Sequence, residues 1–464
     1  MIKVYIIPNI NFWLTKYNFY ISFWKGTVLK MEKIVITGNK PLHGSIEVSG
    51  MKNAAVAIVF GTILAEGKCT LGNIPMISDI SDAFEILTAI GANIRRIDKT
   101  TYEIDTTRIK PCSAPYDLVK KFRASYYILG AELGRFGKAK AAYPGGCDIG
   151  LRPIDQHIKG FKALGASVEA SAAGGNVNIT TEDGSLYGDS VYLDVVSVGA
   201  TINVMLAACR AKGTTIIENA AREPHVVDLA NFLNSCGADI SGAGTEVIKI
   251  RGVDRMHGVH YDIIPDMIEA GTYMIAAAAT GGELTVTNVI PKHLDTVTAK
   301  LLEMGVGVEE YDDAVKVCGV GCNIKGTYVK TAPYPGFPTD MNPQIGVLMA
   351  VAEGESLIKE GVWDNRFRYV DELIRMGADI KSDSRSAVFH GVKKLHGAPI
   401  TACDLRAGAA FIIAGLMAEG VTEIDNIYHI QRGYEDIVGK LKKVGADIEL
   451  RYVPDELANI NNAG

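Results

Sequence analysis

The chain predicts an α/β protein of six related units, and three observations carry that prediction. The pattern apolar-Gly-X-X-apolar recurs at Gly91 (IGANI), Gly165 (LGASV), Gly237 (CGADI), Gly305 (MGVGV), Gly377 (MGADI) and Gly445 (VGADI), at spacings of roughly seventy residues. In step with it, an alanine-rich apolar stretch ends at glycine and a β-prone run follows, as in LAEG-KCTLGN, CRAKG-TTIIEN, ATGG-ELTVTN, VAEG-ESLIKE and MAEG-VTEIDN. The remaining copy, RFG-KAKAAYPGGC, runs into a cysteine loop instead. Finally, 464 residues exceed one ordinary core, so six units divide naturally into two domains of three.

Each unit reads as helix, glycine stop, strand, helix, Gly-Ala turn, strand, with glycine where a helix ends in left-handed backbone. The first helix is apolar nearly all round, as in AAVAIVFGTILA at 54–65 and AGAAFIIAGLMA at 407–418, and is expected to be buried. The second is mixed, as in DAFEILTAIGA and VDELIRMGA, and should keep one face in solvent.

Residues 1–30 fit neither repeat. They are rich in aromatic residues, interrupted at Asn9, Asn11, Lys16 and Asn18, and too broken to supply the run of about twenty apolar residues that a spanning helix needs. They also lack a signal-peptide cleavage site. Met31 opens a good strand, MEKIVITG, so the expectation is an extension from a start placed too early, with Met31 the true start.

The chain carries 47 basic and 53 acidic residues, a formal charge of −6, and no basic run, which argues against nucleic-acid binding. Eight cysteines (69, 112, 147, 209, 236, 318, 322 and 403) are scattered without a secreted framework, which points to reduced thiols in the cytoplasm. Cys318 and Cys322 have half of a metal-site spacing but no second ligand pair, so no metal is expected.

Helix N-termini bind anions, and the entrances to the buried helices read SGMKNAA, KKFRASY, VVSVGAT, PDMIEAG, PTDMNPQ and DLRAGAA. Structure alone asks only for a cap such as Ser, Thr, Asp or Asn. Three entrances instead bring a cation, Lys52, Arg123 or Arg406, to the end of the helix dipole that disfavours it. One such cation is explained by snorkelling; three in register point to a shared anion site. Chemistry is expected in YPGGCDIGLRPIDQH at 143–157, where Gly145, Gly146 and Gly150 make a mobile loop around Cys147, with Arg152 nearby. A loop thiol beside cations has its pKa lowered and can act as proton donor or nucleophile.

SGMKNAA, APYDLVKKFRAS, GGCDIGLRP, VSVGAT, ENAAREPHVVDLANFL, FPTDMNPQ, DNRF, DLRAGAA and YHIQRGYE, in this order, closely resemble the UDP-N-acetylglucosamine 1-carboxyvinyltransferase family, over roughly residues 31 to 450. The resemblance implies a two-domain inside-out α/β barrel of six βαβαββ units, three per domain, with helix N-termini facing a central cleft. One domain is then 52–264 and the other 31–51 with 265–464. It implies transfer of the enolpyruvyl group of phosphoenolpyruvate to the 3-hydroxyl of UDP-N-acetylglucosamine, opening peptidoglycan synthesis. No cofactor, nucleic acid or membrane partner is implied.

By the same resemblance, Cys147 matches the general acid and Asp340 the carboxylate at the sugar hydroxyl. Lys52 and Asn53 match the pair at the phosphoenolpyruvate site. Arg123, Arg152, Arg406 and Arg432 match arginines around the phosphate, carboxylate and diphosphate groups, with Arg366 of DNRF near the reaction centre. Arg152, Pro153, Ile154, Asp155 and Gln156 match the segment at the uridine end; Val195, Val196, Ser197 and Val198 match a second nucleotide segment, and Val362 a contact near the sugar. Val195 stands where the family often has lysine, and Asp364 where glutamate is common. Two other readings are a catalytically idle paralogue that binds UDP-sugar and a shikimate-pathway enolpyruvyl transferase, against which the cysteine loop and SGMKNAA argue.

Overall fold

A computed structural model describes residues 30–121, 123–142, 154–171 and 175–454. Cys147, Arg152, Pro153 and most of the expected N-terminal extension lie outside the described residues. Residues 33–451 form one unit, and 1–32 with 452–464 another.

The six glycines take φ of 111°, 87°, 100°, 88°, 96° and 99° in chain order, where a Cβ is strained. Each closes its helix in the same way. The Gly91 and Ala92 amides donate to the carbonyls of Thr88 and Leu87, at 3.0 and 2.9 Å, and the pair recurs down to Gly445 and Ala446, which donate to Lys442 and Leu441 at 3.1 Å each. This is the Schellman closure, and the apolar residues flanking each glycine seal it.

Five four-stranded sheets and one three-stranded sheet are present among the described residues. In one, the chain runs through strand Ser190–Tyr192, helix Val198–Ala208, strand Thr214–Glu218, helix Pro224–Ser235, and strands Asp239–Ser241 and Val247–Arg251. Ser190–Tyr192 pairs parallel with Thr214–Glu218, and the other contacts are antiparallel. The three-stranded sheet (Lys138–Ala142, Asn176–Thr180, Ser167–Ser171) is that of the cysteine-loop unit.

Six helices are buried on nearly every side: α1 (Lys52–Gly61), α2 (Tyr127–Phe136), α3 (Val198–Ala208), α4 (Met267–Ala279), α5 (Asn342–Met349) and α6 (Leu405–Met417). Helix α2 packs against both α1 and α3, whereas α4, α5 and α6 pack on one another. The α2–α3 approach is so close that a Cβ on Gly130 would lie 2.4 Å from the Asn203 carbonyl oxygen; the Gly130 amide instead donates to Asn203 Oδ1 at 2.9 Å. The second helices are amphipathic as expected: Ser78–Ala89 buries Asp79, Ile80, Ala83, Ile86 and Leu87. One expectation needs correction. Arg123 does not open α2 itself but a short 3-10 turn, Arg123–Tyr126, that precedes it.

The chain passes between the α1–α3 group and the α4–α6 group at residues 48–51 and again at 263–266. The two passages run side by side. Gly50 bridges Pro265, Met51 N–H donates to the Ile264 carbonyl at 2.7 Å, and Asp266 N–H donates to that of Ser49 at 2.9 Å. No helix among the described residues is long and apolar enough to cross a membrane.

Candidate active site

Two carboxylates gather four cations, two of which, Lys52 and Arg406, the sequence places at helix entrances. Lys52 is the first residue of α1, and the N-cap residue Met51 offers no side-chain acceptor. Asp266 supplies it: Oδ2 accepts from Lys52 N at 3.1 Å, while Oδ1 accepts from Ile268 N and Glu269 N at 2.7 and 3.2 Å. One carboxylate therefore caps α1 and α4 together. Lys52 Nζ reaches Asp79 Oδ2 at 2.8 Å, and Arg432 Nε reaches Asp79 Oδ1 at 2.9 Å. Burial pushes the Lys52 pKa down, Asp79 opposes that, and Arg432 and Arg406 add to it. Burial would also raise the Asp79 pKa, yet Lys52 and Arg432 hold it below its usual value. Gly433 lets the Arg432 turn lie on this cluster: a Cβ there would fall 2.7 Å from Leu405 Cδ2 and 3.3 Å from Lys52 Cδ.

The second carboxylate is Asp340, in the 3-10 turn Thr339–Met341 that leads into α5. Arg406, the second residue of α6, brings Nε and Nη2 to Asp340 Oδ2 at 3.0 and 2.8 Å, and Arg366 Nη2 lies 3.3 Å from Oδ1. Burial opposes the Arg406 charge, but the Asp340 carboxylate, with Tyr434 and Asp266 adding to it, holds the pKa above its usual value. Arg366 and Arg406 are 3% and 5% exposed, and Arg366 Nε and Arg406 Nη1 are buried without an acceptor among the described residues. A buried guanidinium N–H without a partner is costly, so both atoms fit an anionic ligand. His225, from the ENAAREPH motif, also feels Asp340, though burial dominates and pushes its pKa down to about 4, leaving a neutral ring. Lys52, Arg366, Arg406 and Arg432 against Asp79, Asp340 and the capping Asp266 leave a surplus of one positive charge, suited to a phosphate or carboxylate.

A further group forms around Gln156. Its Nε2 donates to Asp155 Oδ2 at 2.9 Å and Asp194 Oδ2 at 3.1 Å, and its Oε1 accepts from Asp194 N at 2.9 Å. This ties the 154–156 segment to the 194–198 segment, where Ser197 caps α3 through Ala200 N. Val195 is exposed there. Ile154 is buried as the N-cap residue of the next helix, and Asn53 and Arg123 are half-buried. The Arg123 charge lowers the pKa of the adjacent buried His157, after burial itself, to about 4.

The chain matches the family model described as EPSP synthase (3-phosphoshikimate 1-carboxyvinyltransferase) over residues 36–441. It is 54% identical over 419 residues to UDP-N-acetylglucosamine 1-carboxyvinyltransferase of Clostridium botulinum, covering 90% of this chain and 99% of that protein. The chain belongs to the UDP-N-acetylglucosamine 1-carboxyvinyltransferase family. Another member, from Bacillus anthracis, bears the same name with the number 2 and is 50% identical, covering 93% of this chain and 100% of that one. The fold is that of an enolpyruvyl transferase: NikO from Streptomyces tendae superposes with a TM-score of 0.83 at 28% identity, over 92% of this chain and all of that one. An EPSP synthase from Acinetobacter baumannii gives 0.72 at 20% identity, over 91% of this chain and all of that one, a likeness of fold.

In this carboxyvinyltransferase the structure thus brings Lys52, Asp340, Arg366, Arg406 and Arg432 into two adjoining clusters and links Asp155 and Gln156 to the segment that carries Val195–Val198. Val362 joins the Asp340 side through a residue that sequence reasoning missed: Glu360 Oε1 accepts from Val362 N at 2.8 Å. Asp79 and Asp266 were missed as well. Asp79 had a signal, since it falls on the apolar stripe of an amphipathic helix, where an acid needs a buried partner. Asp364, in place of the common glutamate, pairs with Arg385 at 2.6 Å near the surface.

Proposed function

We propose that the chain transfers the enolpyruvyl group of phosphoenolpyruvate to the 3-hydroxyl of UDP-N-acetylglucosamine with release of phosphate, the committed step into peptidoglycan synthesis. The observation that carries this reading is the surplus of buried cations around Asp340 and Asp79, with unpartnered Arg366 Nε and Arg406 Nη1, in a chain of this family. In the addition step the sugar oxygen attacks the substituted enol carbon, its proton passes to Asp340, and the vinyl carbon gains a proton from Cys147. In the elimination step that carbon gives a proton back and the C–O bond to phosphate breaks. Lys52, Asn53, Arg123, Arg152, Arg366, Arg406 and Arg432 hold the anions in place, where fixed donors stabilise charge as it moves. Residues 152–156, 195–198 and Val362 hold the nucleotide sugar.

The reading extends to architecture: six βαβαββ units in two domains, 52–264 and 31–51 with 265–464, that close on the nucleotide sugar. The separate packing of α1–α3 and α4–α6 supports it. The scattered cysteines support a reducing, cytoplasmic setting. The test is phosphate release from phosphoenolpyruvate with and without UDP-N-acetylglucosamine, with shikimate 3-phosphate in a parallel reaction. Release that depends on the UDP-sugar is expected. Release with shikimate 3-phosphate alone, or with neither acceptor, overturns the reading.

A further inference from the structure

At the end of the glycine-led strand, four units place asparagine: Asn73, Asn219, Asn288 and Asn426, with φ of 54–57°. Three of these side chains donate to the backbone carbonyl that follows the neighbouring parallel strand, Asn73 to Ile263 at 2.7 Å, Asn219 to Leu193 at 2.8 Å and Asn288 to Val48 at 2.6 Å. The same register position in the fifth unit holds Glu360, after strand Glu355–Lys359, and the residue facing it is Thr331 rather than an aliphatic one. Both halves of a repeated contact have changed together.

The new pair does different work. Glu360 is 1% exposed. Its Oε1 accepts from Thr331 Oγ1 at 2.6 Å, Val362 N at 2.8 Å and Trp363 N at 3.1 Å; its Oε2 accepts from Asn342 Nδ2 at 2.8 Å and Thr339 Oγ1 at 3.1 Å. Five donors satisfy a buried carboxylate. Thr331 follows the neighbouring strand, and the other four come from the two chain segments that bear on Asp340: Thr339 precedes it, Asn342 opens α5 behind it, and 362–363 leads to Arg366, which pairs with it. Tyr369 OH donates to Asn342 Oδ1 at 2.9 Å and extends the network into the core.

We propose that Glu360 is a positioning residue for the transfer reaction: it fixes the Asp340 turn and the 361–366 loop relative to each other, so that Asp340, Arg366 and the sugar contact at Val362 keep one geometry. This rests on the function proposed above. In three other units the asparagine donates to the neighbouring strand's carbonyl, a contact that would leave these two segments untied.

The test returns the fifth unit to the pattern of the others with the double variant Thr331→Val, Glu360→Asn, beside Glu360→Gln and wild type. Folding of the double variant is checked first, since the asparagines of the other units take left-handed backbone and Glu360 does not. Turnover should fall about 100-fold, the scale of a misplacement near 1 Å, and the KM for UDP-N-acetylglucosamine should rise. Binding of inorganic phosphate, which reads the whole cation cluster and the folded state, should weaken far less than turnover falls, since Glu360 braces the Arg366 loop but not Lys52, Arg406 or Arg432. Glu360→Gln, which keeps the shape and one acceptor oxygen, should lose less turnover than the double variant. Turnover within twofold of wild type in either folded variant overturns the proposal, as does loss of phosphate binding in step with turnover, the mark of general disorder. If the double variant does not fold, Glu360→Gln decides alone: a turnover loss with intact phosphate binding supports the proposal. Wild-type protein without UDP-sugar-dependent phosphate release sinks the function reading and, with it, this role.

Discussion

Replacing Asp340 by asparagine should move two observables in opposite directions. The side chain keeps its shape but loses the charge that faces Arg406 at 2.8 and 3.0 Å and Arg366 at 3.3 Å. As the hydroxyl's proton acceptor it should account for about 100- to 10,000-fold of turnover. An anion held by the same guanidiniums lies within about 6 Å of the carboxylate, and 332/(ε·r) puts the repulsion at about 0.7 kcal/mol for water-like screening and about 2.8 kcal/mol for an effective dielectric of 20. Removing the charge should tighten inorganic phosphate binding by about 3- to 100-fold. Stability should fall by about 2 kcal/mol, less than for a fully buried pair, because Asp340 keeps 30% of its side-chain surface in water. Phosphate release gives turnover, titration calorimetry gives phosphate affinity, and urea denaturation gives stability. Turnover within threefold of wild type, or weaker phosphate binding in the folded variant, would refute the reasoning.

Gly433→Ala should push on Leu405 and Lys52; the methyl meets side-chain ends that yield, so the stability cost is about 1 kcal/mol, but the KM for phosphoenolpyruvate should rise, and an unchanged KM would remove Gly433 from the account of the Lys52 cluster. Buried Glu132, whose carboxylate accepts from Cys112 N, has its pKa pushed up by burial to about 7 from 4.5. The folded state therefore keeps a proton that the unfolded state has lost, so this contribution is full below pH 4.5 and disappears as the pH rises through 7, about 3 kcal/mol in all. Glu132→Gln should remove that fall, as read by denaturation at pH 4.5 and 7.5, and an unchanged difference between the two pH values would show that Glu132 does not titrate this way.

The fold was legible wherever the reason was local. Gly91 and its five counterparts end helices in left-handed backbone, and a short pattern suffices to reveal it. The alanine-rich helices are buried because nearly all of their side chains are apolar, and the few charged ones, such as Glu269 and Arg406, find partners. The site was legible in its cations, since Lys52 and Arg406 break the expected chemistry of a helix start. What escaped was set by long-range contacts: Asp266 reads as the cap of its own helix, and its second oxygen on Lys52 depends on where the chain returns 214 residues later. Asp79 shows on the buried stripe of its helix, but which cations it meets there, Lys52 and Arg432, is likewise set by long-range contacts. Glu360 was written in the repeat, as ESLIKE among four runs ending in asparagine, and becomes informative only once the partner at Thr331 is known. Cys147, Arg152 and Pro153 lie outside the described residues; the first two stand on the loop's composition and on resemblance, Pro153 on resemblance alone.

The paired passages at 48–51 and 263–266 have a mechanical consequence for Lys52. Its backbone N–H is fastened to Asp266, at the head of α4, while its ammonium is fastened to Asp79, on a helix that belongs with α1. The passages are hydrogen-bonded side by side, so the closure proposed above would turn about this point. The lysine sits at the fulcrum, where angular motion produces the least travel. On that proposal an anion resting on the lysine is seated before closure, and the closing motion brings Arg406 and Arg366 onto it.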